Sequence, residues 1–263
     1  MDNLNVKTFS ECIEQGVIPE ILFWVGCAGS FDERAKKITK AFVKILNKAN
    51  IKFAVLGKEE SCSGDPAKRA GNEFLFQMQA INNIETLNSY SIKSIVTTCP
   101  HCFNTIKNEY PELGGKYTVY HHSQFLNKLM KEKKISVEGG NFKGKKITFH
   151  DPCYLGRANG VYEAPRNLIK KIDAELIELK RSRSKGLCCG AGGAQMFKDS
   201  EQGRKEISSE RAEEIEESEA DIVAAACPFC NTMISDGLKS DKKEKDNTKI
   251  YDIAELIANA NEL

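Results

Sequence analysis

No stretch of this sequence comes near the ~18 consecutive apolar residues that a bilayer-spanning helix needs, and the mean hydropathy is −0.42. A direct membrane span is not expected. An excess of charge of either sign is also missing, since 38 Lys and Arg stand against 37 Asp and Glu, a net of +1. Without a sequence-wide field to attract a polyanion, nucleic acid is not an expected partner. The N-terminal residues MDNLNVKTFSECIEQ carry acids and no long apolar run, so they do not read as a secretory signal, and the expected location is the reducing cytoplasm. Neither the G-x-G-x-x-G fingerprint of dinucleotide sites nor the G-x-x-x-x-G-K-S/T loop of nucleoside triphosphate sites occurs, and no Ser-His-Asp elbow suggests a hydrolase. What the sequence has instead is ten cysteines in 263 residues. In a reducing compartment thiols are more often metal ligands or catalytic groups than disulfides.

Apart from Cys12, which lies outside the pattern and receives no function, the cysteines form two similar series. IVTTCPHCFNTI (95–106) aligns with VAAACPFCNTMI (223–234), and ILFWVGCAGSFDE (21–33) aligns with ITFHDPCYLGRAN (147–159). The offset is nearly constant: 126 residues from Cys27 to Cys153, 126 or 127 from Cys62 to Cys188 or Cys189, and 128 from Cys99 to Cys227. A period this long means two homologous domains rather than a solenoid of short repeats. The expected organisation is an N-terminal extension (1–20), a first cysteine-rich domain (21–135) and a second (146–263), joined by the charged, Gly-containing linker KEKKISVEGGNFKGK (131–145).

Within each half, short apolar runs alternate with stretches of helical period, the pattern of βαβ units and of an α/β fold with a small, mostly parallel sheet flanked by helices. Strands are expected at 21–25, 52–56, 94–98 and 117–120, with helices at 33–49, 66–89, 101–109 and 123–132. In the second half strands are expected at 146–150, 175–179, 221–226 and 249–251. Each cysteine of the two series then follows a strand. In a parallel sheet the C-terminal strand ends share one edge, where the ligands of open α/β sheets bind.

The second series comprises Cys153, the adjacent pair Cys188 and Cys189, and Cys227-Pro228-Phe229-Cys230. Five thiols exceed the four that tetrahedral zinc takes, which favours an iron–sulfur cluster. A C-x-x-C segment at a strand-to-helix turn supplies two ligands while helix amides face the sulfurs. Gly190-Ala191-Gly192-Gly193 has two readings, a loop that brings backbone amides to a cluster or merely a tight turn. The first series has four thiols, Cys27, Cys62, Cys99 and Cys102, which suit a second four-iron cluster or zinc, with His121 after the fourth strand as a possible further ligand.

The arrangement of a Cys, then Cys-Cys-Gly, then Cys-x-x-Cys resembles the cysteine-rich CCG domain, found twice in one of the subunits of heterodisulfide reductase and in related subunits of lactate, glycolate, glycerol-3-phosphate and succinate oxidoreductases. The segments LFWVGCAGSFD, SCSGDPAKRAGNEFLFQ, VTTCPHCFNTIKNEYP, HDPCYLGRANGVYEAPR, RSRSKGLCCGAGGAQM and ACPFCNTMISDG are similar to the C-terminal part of iron–sulfur oxidoreductases that pass electrons from electron-transfer flavoprotein to menaquinone. The resemblance implies a noncubane [4Fe-4S] cluster on Cys153, Cys188, Cys189, Cys227 and Cys230. Where the second half has Cys188-Cys189-Gly190, the first has Ser61-Cys62-Ser63-Gly64, so one ligand is missing, and Ser61 Oγ is a poor soft-metal ligand. Heterodisulfide reductase cleaves its substrate between two such clusters. With one set incomplete, the resemblance implies a one-cluster electron relay, an oxidoreductase subunit active with partners: a ferredoxin-like iron–sulfur subunit, an electron-transfer flavoprotein, or a membrane quinone-reactive subunit that would bring the chain to the inner membrane face. A lactate or glycolate oxidation system and a zinc-stabilised structural module are the alternatives.

Several further residues bear on the sites. His150, beside Asp151-Pro152-Cys153, is the candidate proton donor, with a His-Asp cap as the other reading. His101, between two cysteines, either bonds a cluster sulfur or faces solvent, and His122 is expected to point away from His121. Gly64-Asp65-Pro66 reads as a helix start capped by Asp65. Arg157, Arg166, Arg181 and Arg183 flank the second set, either facing a cluster or an anionic substrate or lying on a solvated surface. The acidic stretch 199–219 and the run 240–249 read as a solvated helix face and a loop.

Overall fold

Short runs rich in β-branched and aromatic residues become strands, and the inner strands of each sheet are buried at three or all of their four positions, as parallel strands covered on both faces are. The computed structural model describes residues 4–137, 140–199, 203–240 and 248–263. The chain divides into two units, Met1–Ile135 and Ser136–Leu263. In the first unit β1 (Ile21–Trp24), β2 (Phe53–Ala54), β3 (Ser94–Thr97) and β4 (Thr118–His121) form a parallel sheet of order β2-β1-β3-β4. In the second, β5 (Lys146–Phe149), β6 (Glu175–Ile177), β7 (Ile222–Ala225) and β8 (Lys249–Asp252) repeat it as β6-β5-β7-β8. The register repeats too, Phe23 opposite Val96 in one sheet and Phe149 opposite Ala224 in the other.

Helices cover both sheets. The first unit holds α1 (Phe9–Glu14), α2 (Gly26–Phe31), α3 (Glu33–Lys48), α4 (Asp65–Arg69), α5 (Glu73–Ser89), α6 (Pro100–Asn104) and α7 (His122–Lys131). The second holds α8 (Glu163–Lys171), α9 (Ile207–Glu216), α10 (Pro228–Ser240) and α11 (Ile253–Ala260). In α3, Asp32 caps the helix by accepting from Ala35 N, and Ile38, Phe42 and Ile45 recur at helical spacing to face the core. Asp252 and Glu255 form a reciprocal capping box at α11. Among the described residues no helix is long and apolar enough to cross a membrane.

The structure departs from the sequence reading in four places and adds one contact that the reading did not address. The helix expected over 66–89 is two, because Gly71 takes φ +86° and Asn72 caps α5 through Leu75 N. The helix expected over 101–109 is α6 followed by one wider π-type turn over 105–109. The N-terminal extension packs against the first unit: Thr8 and Glu11 box the start of α1, Thr8 pairs with Val55 beside the sheet, and Phe9 and Cys12 are buried. The linker, whose charges and glycines suit an exposed connection, nonetheless buries Ile135 and Phe142. The acidic stretch contains α9, whose Arg211, Ala212, Glu214 and Ile215 are buried, so only one side of it is a solvated face. The run 240–249 lies mostly outside the described residues.

Candidate metal centres

The strand order creates the sites. In each sheet the chain runs outward from the first strand to the second on one side and to the third on the other, and the crevice at the carboxyl ends of strands flanking such a switch is where open α/β sheets bind ligands. Cys27 follows β1, Cys62 lies in the loop after β2, and Cys99 and Cys102 begin α6 after β3. Cys153, Cys188 with Cys189, and Cys227 with Cys230 occupy the same three loops in the second unit. His121 ends β4, one strand beyond β3, where its Nδ1 and Ser123 Oγ are 2.8 Å apart and its ring lies on Phe103.

In the second unit the five thiols form a connected chain. Cys153 hydrogen-bonds Cys188, which neighbours Cys189; Cys189 and Cys230 Sγ are 3.3 Å apart, and Cys230 hydrogen-bonds Cys227. The thiol hydrogen bonds from Cys153 and Cys189, followed by the Gly190 amide 3.3 Å from its sulfur, hold Cys188 far below the ordinary thiol pKa against the opposing effect of burial. Gly190 adopts φ +95°, and this left-handed turn aims its N–H at the sulfur. Cys153 is pushed up, first by its bond to Cys188 and then by burial. Cys189, pushed up to about 12, follows the same rule because it donates to Cys188. A ring nitrogen of His150 and the sulfurs of Cys189 and Cys230 lie within 4.8 Å of one another. Burial, then the Arg211 charge, push His150 down to about 3, so its ring is neutral at pH 7.

The first unit repeats this geometry with one substitution. Cys27 hydrogen-bonds Cys62, Cys102 hydrogen-bonds Cys99, and the two pairs lie close enough to interact electrostatically. Cys62 is pulled down to about 6, first by the Cys27 bond and, against burial, by Gly64 N–H at 3.5 Å. Gly64 has φ +90°, matching Gly190. These correspondences equate Cys62 with Cys188, so the residue in the place of Cys189 is Ser63, whose Oγ is 3.5 Å from Cys102 Sγ. Ser61 turns away and donates to Asn83 Oδ1 at 2.8 Å.

Each unit ties its first two cysteine loops together with a carboxylate, by different chemistry. Asp151 receives Arg166 through both oxygens at 2.8 Å and Arg183 N at 2.7 Å, joining the Cys153 loop to the segment leading to Cys188. Glu60 accepts from Val25 N at 2.9 Å and from Gly26 N, and burial pushes its carboxyl up to about 7 against those bonds. Sequence reasoning missed Glu60, since a single carboxylate two residues before Cys62 carries no pattern. Asp65 is not the cap of α4: Gly64 holds that position, and buried Asp65 accepts from Arg69 at 3.1 Å and pairs with His101 Nδ1 at 2.8 Å. His101 is therefore buried rather than solvent-facing. His122 is buried against Phe42 and His121.

Of the four arginines, Arg166 is wholly buried between Asp151 and Glu178, Arg181 pairs with Glu210 and Glu214, Arg183 with Glu163, and Arg157 donates to Gly186 O at 2.5 Å. Arg211, which sequence reasoning passed over within the acidic stretch, donates through Nε to His150 Nδ1 at 3.1 Å and is buried. Beside Cys188 lies an open cleft of about 940 Å³, with Met196 and Met233 on its apolar part and three basic residues, Lys198, Arg204 and Lys205, against one acidic residue, Glu206, on its charged part.

Residues 21–107 and 147–235 match the family described as the CCG cysteine-rich domain. The chain is 42% identical over 255 residues to the "EtfAB:quinone oxidoreductase" of Syntrophomonas wolfei, covering 95% of this chain and 35% of that protein. It is 44% identical over 254 residues to the "Probable iron-sulfur-binding oxidoreductase FadF" of Bacillus subtilis, covering 96% and 36%. It is 36% identical over 255 residues to a subunit of the dihydromethanophenazine:CoB--CoM heterodisulfide reductase of Methanosarcina barkeri, covering 92% and 59%. The chain thus spans about a third of the length of the first two relatives.

Proposed function

The chain belongs to the CCG cysteine-rich domain family, with one copy in each half, and from that premise we propose that it is an iron–sulfur electron-transfer component of an oxidoreductase complex. The observation that carries the reading is the connected set of five thiols at the switch point of the second sheet, with Cys188 already inclined to the thiolate form. The orphaned, buried Nε2 of His150 beside that set supports the fit to a sulfur-rich group. The second set, Cys153, Cys188, Cys189, Cys227 and Cys230, would hold a noncubane [4Fe-4S] cluster. Such a cluster supplies one-electron chemistry at a potential set by hydrogen bonds, charge and exposure.

The protein's own residues do the rest. Asp151 and Arg166 fix the spacing of the Cys153 and Cys188 loops, while Gly190 N–H faces the sulfur of Cys188 and Ala191 N–H that of Cys189. The cleft beside Cys188 gives an acceptor access, and its basic and thioether lining suits a molecule with an apolar body and an anionic group. By analogy with the relatives named above, the acceptor is a quinone or a disulfide, and the resemblance read from the sequence supplies the finer reading: a flavoprotein of the electron-transfer type or a ferredoxin-like subunit as donor, and menaquinone, reached through a membrane subunit, as the quinone. A cytoplasmic location, at the inner membrane face through such a partner, belongs to the same reading.

Cys27, Cys62, Cys99 and Cys102 of the first unit would hold a second [4Fe-4S] cluster. The presence of Ser63 in place of a fifth thiol supports zinc as the second reading for this site alone. The test is electron paramagnetic resonance of the anaerobically reconstituted chain, reduced by dithionite and then by a reduced electron-transfer flavoprotein. The expected result is a reduced-cluster signal that C188S and C230S abolish. A chain without a redox-active signal under both reductants would overturn the reading.

A further inference from the structure

His150 and Trp24 occupy the same place in the two halves. Each lies three residues before the first cysteine of its set and 126 positions from the other, Trp24 as the last residue of β1 and His150 immediately after β5. Both side chains are fully buried. Both end in a ring nitrogen with no hydrogen-bond partner among the described residues, Nε2 in His150 and Nε1 in Trp24. Buried polar groups left unpaired are costly, and one at a site that binds a group points to that group as the partner. That both units carry such an orphan at one repeat position, on two different side chains, argues against chance packing.

The chemistry of the two nitrogens is the same. An indole Nε1 can only donate a hydrogen bond. Arg211 has no acceptor, so its Nε–H at 3.1 Å fixes His150 Nδ1 as the acceptor and leaves the proton on Nε2. A protonated Nε2 has no lone pair for a metal, which makes His150 a donor and not a sixth ligand, although one of its ring nitrogens lies within 4.8 Å of the sulfurs of Cys189 and Cys230. An aromatic ring carrying an N–H is what the two residues share.

The geometry points to one task for both: His150 Nε2–H and Trp24 Nε1–H are hydrogen-bond donors to sulfur in the group that each cysteine set holds. The inference rests on the iron–sulfur reading above and deepens it. A donor facing sulfur favours the more negative, reduced state, so each ring raises the potential of its own site. Both N–H groups remain donors across the neutral range, and neither supplies a proton to substrate.

The test uses the full chain reconstituted without oxygen, with iron and sulfide assayed first and potentials then measured by redox titration. H150F and W24F each keep an aromatic ring and delete the N–H. Each is expected to keep the wild-type metal content and to favour the oxidised state of its own site about tenfold, a fall of about 59 mV for one electron, while the other site stays unchanged. H150Q, which restores an N–H, recovers part of the fall. Because Trp24 is the only tryptophan, the indole N–H band in ultraviolet resonance Raman reads it alone, and that band should move to its hydrogen-bonded position on loading, whichever metal the first set takes.

Loss of iron from H150F would make His150 a ligand and overturn the inference. Unchanged potentials with full iron, or an unmoved indole band, would reduce the rings to packing and overturn it while leaving the iron–sulfur reading intact. A wild-type chain that takes up neither iron nor sulfide would defeat that reading, and the inference with it.

Discussion

Replacing Asp151 by Asn should loosen the second metal centre without touching a cysteine. Asp151 is 5% exposed, and its two oxygens accept Arg166 Nη1 and Nη2 at 2.8 Å each, with Arg183 N at 2.7 Å on Oδ2. The amide in D151N removes the charge and turns one oxygen into a donor that faces another N–H. Breaking a buried ion pair by deleting one partner costs ~3–5 kcal/mol. The lower end applies here, because Glu178 stays on Arg166 through Nε at 2.6 Å and Nη2 at 2.8 Å. About 3 kcal/mol is a large part of a stability of ~5–15 kcal/mol and corresponds to roughly 10 °C in the melting temperature of a domain of this size. Thermal unfolding of the metal-free chain by circular dichroism reads that shift, and iron release from the loaded chain under a chelator should quicken. A loss below about 1 kcal/mol, with unchanged iron release, would refute the claim that this carboxylate holds the two cysteine loops in register.

Three further predictions concern the repeat and its electrostatics. Both G64A and G190A force alanine into a left-handed conformation worth ~1–2 kcal/mol, but a Cβ at Gly64 would lie 2.7 Å from Phe76 Cδ2, against 3.5 Å from Met233 Cε at Gly190. G64A should therefore cost ~1–3 kcal/mol more by overpacking, and equal urea midpoints for the two variants would contradict this. S63C gives the first unit the five thiols of the second, so the reconstituted first site should show the second site's paramagnetic signal, and an unaltered spectrum would count against the equivalence of Ser63 and Cys189. Burial pushes Glu214 up, yet the Arg181 amide and guanidinium and the Arg211 charge outweigh it and hold its pKa below the usual carboxylate value. A lowered folded pKa means stability that is present above the unfolded value and lost as pH falls through the folded one. E214Q should thus be less stable than the wild type above about pH 4.5, and the two should converge as pH falls below that value in unfolding titrations; a difference constant with pH would exclude the ionic contribution.

Much of this fold is legible in the sequence because duplication reads the pattern twice. The runs ILFW, SIVT, KITF and IVAA are short, apolar and β-branched, and all four became buried strands close to their expected bounds. The break at Gly71 and Asn72 was less visible, since apolar residues continue at helical spacing on both sides and a left-handed residue declares itself only through its φ. The cysteine loops follow from strand order and could be anticipated. Their supports could not: Arg166 and Arg211 look like surface arginines, and only the fold reveals that each is buried against a partner distant in sequence. The pairing of Trp24 with His150 was present in the alignment of ILFWVGC with ITFHDPC. That both nitrogens are buried and lack a partner among the described residues is visible only in the fold.

The most direct test of the central claim is the iron, acid-labile sulfide and zinc content per chain of protein purified without oxygen. The account predicts at least about four irons and four sulfides, lost when Cys153, Cys188, Cys189, Cys227 or Cys230 is replaced, with the first set adding either further iron or one zinc. Zinc in both units and no sulfide would contradict it.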